Sequence, residues 1–228
     1  MTKQKNVLFI VIDQLRADCI TGALADHVDM PNINALQRDG VTFSKHYSVV
    51  NPCGPSRASL LTGRYAMNHR SVRNGTPLSA GFTNLALEAR KSGYEPLLFG
   101  YSDTSNDPRT HHPNDPKLAQ YEEVLPGFRE VVEMRQDGGS YPWRAFLKTH
   151  GYDVSAYAQL YTPEVCDPQN NPRPSDPAKY KAEHSDTAFL TDAALGFLSV
   201  QSDANWFAHL TYIRPHPPLI APKPFNDM

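Results

Sequence analysis

Asn6-Val7-Leu8-Phe9-Ile10-Val11-Ile12-Asp13-Gln14 is the stretch that indicates the fold class of this 228-residue chain. Residues 6–12 form a run of β-branched and aromatic side chains, which predicts a strand buried on both faces of a parallel sheet. Asp13 and Gln14 follow at its carboxyl end. Because ligands of α/β proteins bind in the crevice beyond the carboxyl ends of the strands, these two side chains are candidates for a functional site.

Helical and extended patterns alternate along the rest of the chain. Pro31 suits the first turn of a helix over residues 31–39, which Gly40 ends, with Ile33 and Leu36 facing inward. Residues 101–180 are rich in Pro, Asp, Asn and Gly, so we predict a loop-rich insertion that shapes a pocket. The alternation predicts an α/β domain whose mainly parallel sheet is flanked by helices. The remaining expected elements are an extended segment over 41–47, helices over 83–92, 142–150 and 182–200, and strands over 94–99 and 206–213.

The composition is that of a globular domain without a strong charge bias. A net charge of -2 gives no reason to expect nucleic acid or an anionic membrane surface as a partner. Cys19, Cys53 and Cys166 are too few and too scattered for a disulfide framework, and they form no C-x-x-C pair. The apolar run over residues 7–12 is shorter than the core of a signal peptide or a membrane span. We therefore expect a cytoplasmic protein that binds neither nucleic acid nor membrane.

A second stretch, Cys53-Gly54-Pro55-Ser56-Arg57-Ala58-Ser59-Leu60-Leu61-Thr62-Gly63-Arg64, carries the candidate chemistry. It is typical of one short helix, with Pro55 in the first turn and Gly63 as the C-terminal cap. Unpaired backbone N–H groups at the helix start favour an anion beside Cys53, and Arg57 adds a permanent cation one turn along. Taken alone, Cys53 could equally be a small buried hydrophobe or a moderately acidic thiol, and Arg57 a surface ion-pairing residue.

This string resembles the signature of the sulfatase family within the alkaline phosphatase superfamily. In that signature a Cys, with Pro two positions on and Arg four positions on, directs oxidation of the Cys to formylglycine. The resemblance implies formylglycine at residue 53, a formylglycine-generating maturation enzyme as a partner, and a divalent metal ion. It also implies that Asp13, Gln14 and Cys53 bind that ion, and oxygen donors suit Ca, Mn or Mg. From its spacing alone, Asp13 could instead cap the next element or a turn.

Other segments resemble the phosphonate monoester hydrolase and phosphodiesterase branch of that family. Gln14 stands where family members often have a second Asp. Gly100-Tyr101-Ser102-Asp103-Thr104 stands where arylsulfatases place a segment with lysine and histidine. Tyr101 and a nearby hydroxyl fit the hydrolase branch, with Thr104 or Asp103 open as the second position. The remaining matching segments are residues 51–55, 65–70, 74–78 and 214–218.

The resemblance also implies roles for the other candidate residues. Arg57 would stabilise charge on the equatorial oxygens of the reacting group, while Asn74 and Tyr101 would donate hydrogen bonds to the bound anion. Thr104 is the catalytic candidate for the second position beside Tyr101. His216, at the predicted end of a strand, would protonate the leaving-group oxygen or bind a non-bridging oxygen. A lone histidine between prolines is more often structural. The substrate class implied is a small anionic ester.

We predict that residues 1–228 form the N-terminal part of a single sulfatase-like catalytic domain, incomplete at its C-terminus, because family members draw further metal ligands from a C-terminal half. The predicted activity is metal-dependent hydrolysis of phosphonate monoesters or phosphodiesters, with sulfate esters as side substrates. The alternatives are a sulfatase for an unidentified ester and a non-catalytic fragment that binds anions or a partner. The full-length enzyme is expected to be a homo-oligomer, and the 228-residue chain alone to be inactive.

Overall fold

Four parallel strands form one sheet in the computed structural model, which describes residues 5–137, 139–165, 169, 171–201 and 205–227. The strands lie in the order β1-β4-β2-β3, so β4 and β2 are central and β1 and β3 are the edges. The predicted α/β class with a mainly parallel sheet is confirmed. The strands are β1 (Val7–Ile12), β2 (Pro96–Gly100), β3 (Arg129–Glu133) and β4 (Phe207–Tyr212).

Helices connect the strands and flank the sheet. Within the described residues, no helix is long and apolar enough to cross a membrane. The α-helices of that part of the chain are α1 (Asp18–Thr21), α2 (Pro31–Asp39), α3 (Cys53–Thr62), α4 (Ala66–His69), α5 (Leu85–Lys91), α6 (Tyr141–Thr149), α7 (Tyr157–Leu160) and α8 (Asp186–Ser199). Short 3₁₀ turns lie at Pro108–Thr110, Pro116–Leu118, Ala182–His184 and Phe225–Asp227.

The apolar core lies on both faces of the sheet. Successive residues of a strand point to opposite faces, and all of β2 is buried. Leu97 and Phe99 therefore join the core formed with α6, α7 and α8, which contains the fully buried Trp143. Leu98 joins the opposite core, formed with α3 and α5. The central strands thus hold α3, and with it Cys53, at a fixed place above the sheet.

The helix ends follow from local chemistry. α2 has the predicted bounds, and α3 ends as predicted because Gly63 adopts the left-handed conformation, with φ +67°. α5 begins two residues later than predicted, because the Asn84 side chain accepts hydrogen bonds from the N–H groups of Ala86 and Leu87. α8 begins after a 3₁₀ turn, where the Ser185 hydroxyl caps it.

Three predictions about exposure and conformation are wrong. β1 is an edge strand rather than one buried on both faces, and Leu8 and Ile10 are 48% and 44% exposed. Leu36 of α2 is 73% exposed instead of facing inward. Residues 41–47 form turns and irregular structure rather than an extended segment. An apolar pattern identifies a face, but it does not show whether another part of the fold covers that face.

The segment over residues 101–180 is more than a loop-rich insertion, because it contributes β3 to the sheet. The predicted helix over 142–150 is present as α6. β3 is Arg129-Glu130-Val131-Val132-Glu133, and charges at an edge strand replace the continuous apolar run expected of a parallel strand. Composition therefore indicated loops where the fold places an edge strand.

The sheet opens where β2 ends, next to β4. Gly100 has φ +113°, and a Cβ built on it would lie 2.6 Å from the Thr211 carbonyl oxygen and 2.7 Å from the Thr211 hydroxyl oxygen. That hydroxyl accepts a hydrogen bond from the Tyr101 N–H at 3.1 Å and donates one to the Tyr101 carbonyl oxygen at 3.0 Å. The Thr211 hydroxyl thus satisfies the Tyr101 backbone groups in place of a strand neighbour, and this fixes the start of the loop that follows β2.

Candidate active site

A cleft of ≈ 440 Å³ lies beyond the carboxyl end of β1 and beside the start of α3. It brings together five predicted site residues: Asp13, Gln14, Cys53, Asn74 and His216. Arg57, Tyr101 and Thr104 are absent from its lining. Ser48, Val50, Asn51, Pro52 and Ser56 complete the lining. The crevice rule for parallel sheets thus correctly placed the residues that follow β1 and β4.

Cys53 is the first residue of α3, and Asn74 holds it. The Asn74 amide nitrogen donates to the Cys53 sulfur at 3.2 Å, and the Asn74 amide oxygen accepts from the Gly54 N–H at 3.0 Å. The Asn74 side chain therefore contacts residue 53 itself, in addition to lining the space where an anion would bind. A side chain at position 54 would press on Asn74, because a Cβ there would lie 3.0 Å from the amide oxygen.

The surroundings of Cys53 oppose a thiolate. Burial raises the pKa of its thiol to about 11, and the negative charges of Asp103 and Asp13 add to the rise, against the hydrogen bond from Asn74. The alternative of a moderately acidic thiol, activated by the helix start, is therefore wrong for this arrangement. Cys53 and Cys19 are both free thiols, and Cys166 lies outside the described residues.

Asp13 is held by two buried side chains below the cleft. Its Oδ2 accepts from the Arg57 guanidinium at 3.0 Å and from the Tyr101 hydroxyl at 2.6 Å. The guanidinium also lies over the Tyr101 ring, 4.3 Å from its centroid. All three residues are buried, so Arg57 and Tyr101 orient one carboxylate. Their roles toward the bound anion stay predictions, because the contacts that the structure gives them are with Asp13.

Asp13 and Gln14 fit part of a site for a hard divalent cation. Both line the cleft with oxygen donors, and Gln14 has a left-handed backbone, with φ +61°. Oδ2 of Asp13 is occupied by its two partners, which leaves the other carboxylate oxygen to bind an ion. Within the described residues, no group of three or more His, Cys, Asp or Glu side chains could hold a metal ion. The donor types suit calcium, magnesium or manganese, and the described residues supply only part of a coordination shell.

Thr104 lies outside the lining of the cleft, and its role as a site residue stays a prediction. Its hydroxyl contacts the Ser102 hydroxyl at 3.0 Å, and its backbone bridges to Glu123. Asp103 interacts with the Cys53 thiol without lining the cleft; its φ is +53° and it is 3% exposed. Burial raises the pKa of its carboxyl group to about 6, and interactions with Cys53, Arg57 and His216 oppose the rise. The left-handed residue redirects the chain, a turn that the sequence pattern did not indicate.

His216 lines the cleft in one orientation fixed by its neighbours. Its N–H donates to the Ile213 carbonyl oxygen at 2.9 Å, and its Nδ1 lies 2.7 Å from the Pro217 carbonyl oxygen. Because a carbonyl only accepts, Nδ1 carries the proton of the neutral ring, and Nε2 is the acceptor. Arg214 fastens the same loop, donating to the Pro218 carbonyl oxygen at 2.6 Å and pairing with Asp186 at 3.4 Å.

Comparison with known proteins identifies the family of the chain. The sulfatase family model matches residues 5–228. Over 99% of its length the chain is 38% identical to the multifunctional alkaline phosphatase superfamily protein PehA of Trinickia caryophylli, and it is 24% identical to an arylsulfatase of Clostridium perfringens over 98%. A phosphonate monoester hydrolase structure from Silicibacter pomeroyi is 62% identical, with a TM-score of 0.94 over 99% of the chain.

The chain spans 44% of the length of PehA, 46% of the arylsulfatase and 44% of the phosphonate monoester hydrolase. These matches confirm the resemblance drawn from the string at Cys53 and from the segments around it. The chain belongs to the sulfatase family.

Proposed function

We propose that the full-length protein is a metal-dependent formylglycine hydrolase of phosphonate monoesters and phosphodiesters, with sulfate esters as side substrates. The observation that carries the proposal is the setting of Cys53: it lines the cleft at a helix start, held by Asn74, yet its thiol has a raised pKa of about 11. A thiol so disfavoured as a thiolate is poorly suited to act unmodified. Oxidation of Cys53 to formylglycine would replace its thiol with an aldehyde, whose hydrate presents hydroxyl groups at the same position.

The residues of the cleft then take separate tasks. Asp13 and Gln14, with residue 53, would hold the divalent ion, which supplies positive charge to the nucleophile and to the reacting group. The formylglycine aldehyde, as its hydrate, supplies an oxygen nucleophile. Asn74 orients residue 53 and lies where it can donate to the bound anion. Arg57 and Tyr101 act through Asp13, whose carboxylate they orient.

His216 is the proposed proton carrier. Its neutral ring accepts a proton at Nε2, and the resulting cation can donate that proton to the leaving-group oxygen. The Nδ1 contact with the Pro217 carbonyl oxygen holds the ring in this tautomer. The ion pair between the half-buried Arg214 and the buried Asp186 fastens the loop that carries the ring, which limits its movement during turnover.

The second candidate is a sulfatase, and the similarity to the Clostridium perfringens arylsulfatase favours it. Identity of 62% to a phosphonate monoester hydrolase weighs toward the first proposal. A non-catalytic fragment that binds anions or a partner is the third reading. The proposal also includes a maturation enzyme as a partner, a homo-oligomer and a cytoplasmic location, the last supported by only three scattered cysteines.

The test is peptide mass spectrometry and kinetics on full-length protein co-expressed with a demonstrably active formylglycine-generating enzyme. We expect the aldehyde at residue 53 and turnover that a chelator removes and a divalent metal restores. Cys53→Ala should abolish turnover, whereas Cys19→Ala, which changes the other described free thiol, should leave it intact. Unmodified thiol with full activity would contradict the proposed nucleophile, and absence of turnover by matured protein would favour the non-catalytic reading.

Relative rates then separate the two hydrolases. We expect kcat/KM for p-nitrophenyl phenylphosphonate and bis-p-nitrophenyl phosphate to exceed that for p-nitrophenyl sulfate. A sulfate ester cleaved much faster than both phosphorus esters would establish the sulfatase reading instead. All assays use one leaving group, so differences in leaving-group acidity do not enter the comparison.

A further inference from the structure

Gln136, in the loop after β3, has its hydrogen-bond partner in the loop that carries His216. Its amide nitrogen donates to the Pro217 carbonyl oxygen at 2.8 Å, across 81 positions of the chain. The same carbonyl oxygen lies 2.7 Å from the Nδ1 of His216. A carbonyl oxygen has two lone pairs, so it can accept from both groups at once. One acceptor therefore links the loop after β3 to the proposed proton carrier.

The backbone on both sides of Gln136 is held by side chains. The Arg135 N–H donates to the Ser140 hydroxyl at 2.9 Å, and that hydroxyl donates to the Arg135 carbonyl oxygen at 2.7 Å. The Asp137 N–H donates to a carboxylate oxygen of Glu122 at 2.8 Å. Ser140 and Glu122 are buried, so water competes poorly for these bonds. The Gln136 side chain thus extends from a fixed point.

The direction of the Pro217 carbonyl group is the quantity that Gln136 controls. The proline ring fixes φ and the peptide bond is planar, so rotation about ψ of Pro217 is the main freedom that this carbonyl retains. Arg214 donates to the carbonyl oxygens of His216 and Pro218, which precede and follow it in the chain. The bond from Gln136 adds the restraint on the carbonyl group between them.

A contact that only stabilises the loop is the ordinary explanation for such a bond. A hydrogen bond between an amide and a carbonyl group contributes about 1 kcal/mol to stability, and Gln136 is half-buried. Its loss in that role would affect the hydrolysis of every ester equally. This acceptor is different, however, because its other partner is the ring nitrogen that sets the tautomer of His216.

We propose that Gln136 is a positioning residue for His216: by holding the Pro217 carbonyl oxygen at Nδ1, it keeps Nε2 available to protonate the leaving-group oxygen. This rests on the proposed hydrolase function. If the carbonyl group turns away, Nδ1 loses its acceptor, and the tautomer with the proton on Nε2 becomes accessible. The ring also loses a contact that fixes its orientation. Gln136 lies outside the lining of the cleft, so it acts through this carbonyl group alone.

The dependence of rate on the leaving group separates positioning from simple stabilisation. The phenyl, 4-chlorophenyl and 4-nitrophenyl esters of phenylphosphonate are compared in matured full-length protein at saturating metal. 4-Nitrophenolate leaves readily without a proton, whereas phenolate depends on one. Gln136→Met removes the donor and keeps the length of the side chain. It should lower kcat/KM by about tenfold or more for the phenyl ester, and by less than about threefold for the 4-nitrophenyl ester.

Gln120→Met is the matched control. It removes an amide nitrogen that donates to a carboxylate oxygen of Glu123 at 2.6 Å, outside the lining of the cleft. The rates for all three esters should stay unchanged. A double-mutant cycle then shows whether the effect of Gln136 passes through His216. Gln136→Met introduced into His216→Ala should change kcat/KM for the phenyl ester by less than about twofold, since no ring remains to be positioned.

The tautomer of His216 supplies a readout that needs no turnover. ¹⁵N NMR of protein with labelled histidine distinguishes a ring protonated at Nδ1 from one protonated at Nε2, and His216→Ala identifies the signals. In wild type the proton should lie on Nδ1. In Gln136→Met both tautomers should be populated.

The outcomes are distinct. An equal loss of kcat/KM for all three esters, unchanged rates, or independent effects in the cycle overturn the proposal and leave Gln136 as a loop contact. An unchanged His216 tautomer in Gln136→Met overturns it as well. If matured wild-type protein turns over none of the esters, the hydrolase proposal fails, and the tautomer measurement still decides whether Gln136 positions the ring.

Discussion

Tyr101→Phe tests whether the Tyr101 hydroxyl orients the Asp13 carboxylate. The substitution removes only the hydroxyl, which donates to the Asp13 Oδ2 at 2.6 Å, and keeps the ring beneath the Arg57 guanidinium. Both partners are buried, so water cannot replace the lost donor without rearrangement. Asp13 would retain Arg57 but lose one of the two groups that fix its carboxylate plane.

The cost follows from the type of bond. A hydrogen bond to a charged, buried group contributes about 2 kcal/mol, which corresponds to a Tm lower by about 2–4 °C for a full-length protein roughly twice as long as this chain. Loss of a group that orients a metal ligand typically weakens metal binding by about 10–100-fold. We therefore expect Tyr101→Phe in the full-length protein to show both effects, with KM for the ester at saturating metal close to wild type. Calorimetry gives Tm, and titration with Mn²⁺ gives the affinity.

Tyr212→Phe is the matched control. The Tyr212 hydroxyl lies 2.7 Å from the Thr191 hydroxyl, away from the cleft, and its loss should cost about 1 kcal/mol without affecting metal affinity. If both variants bind Mn²⁺ as tightly as wild type, Tyr101 does not orient a metal ligand. A raised KM for the ester with unchanged metal affinity would show instead that Tyr101 contacts the substrate.

Three further predictions concern the metal, the pH dependence of stability and one backbone turn. Asp13→Ala should abolish metal-dependent activity and lower metal content measured by mass spectrometry; wild-type content and rate would refute the metal site. Burial lowers the pKa of His209 to about 4 from 6.5, so the unfolded chain binds its proton first as pH falls. Urea unfolding should show stability decreasing between about pH 6.5 and pH 4, by up to about 3 kcal/mol, and His209→Gln should flatten this slope. Gly63→Ala should destabilise by about 1 kcal/mol because φ is +67°, whereas Gly196→Ala, inside α8, should stabilise by about the same amount; equal effects would contradict the backbone argument.

The sequence predicted the parallel architecture because continuous apolar runs and helix caps are local signals. Pro31 begins α2 and Gly63 ends α3 in the left-handed conformation, since each acts through its own backbone preferences, whereas Gly40 follows α2 in an extended conformation. The convergence of Asp13 and His216 on Cys53 was equally predictable, because the carboxyl ends of parallel strands meet at one edge.

The exposure of β1 and the directions of the side chains after β2 could not be predicted, because they depend on contacts between residues distant in sequence. Leu8 follows the same pattern as a buried residue, and only the position of β1 at the sheet edge exposes it. Tyr101 was correctly placed at the end of β2, but its hydroxyl turns under the cleft to Asp13 rather than into it. The choice between Asp103 and Thr104 could not be made from the sequence: Asp103, with positive φ, interacts with Cys53, whereas the Thr104 hydroxyl contacts Ser102.

Gly100 shows how strongly backbone conformation and packing together can restrict the residue type at one position. Any side chain at this position would meet the Thr211 carbonyl and hydroxyl oxygens at under 3 Å, and relief would push apart the loop that carries Tyr101 and Asp103. Residues 101 and 103 can therefore differ while position 100 stays glycine, because both the positive φ and the lack of space exclude a side chain there. Among proteins that share this fold but catalyse different reactions, a glycine at this position would follow from the close approach of β2 to β4. It would give no information about the substrate.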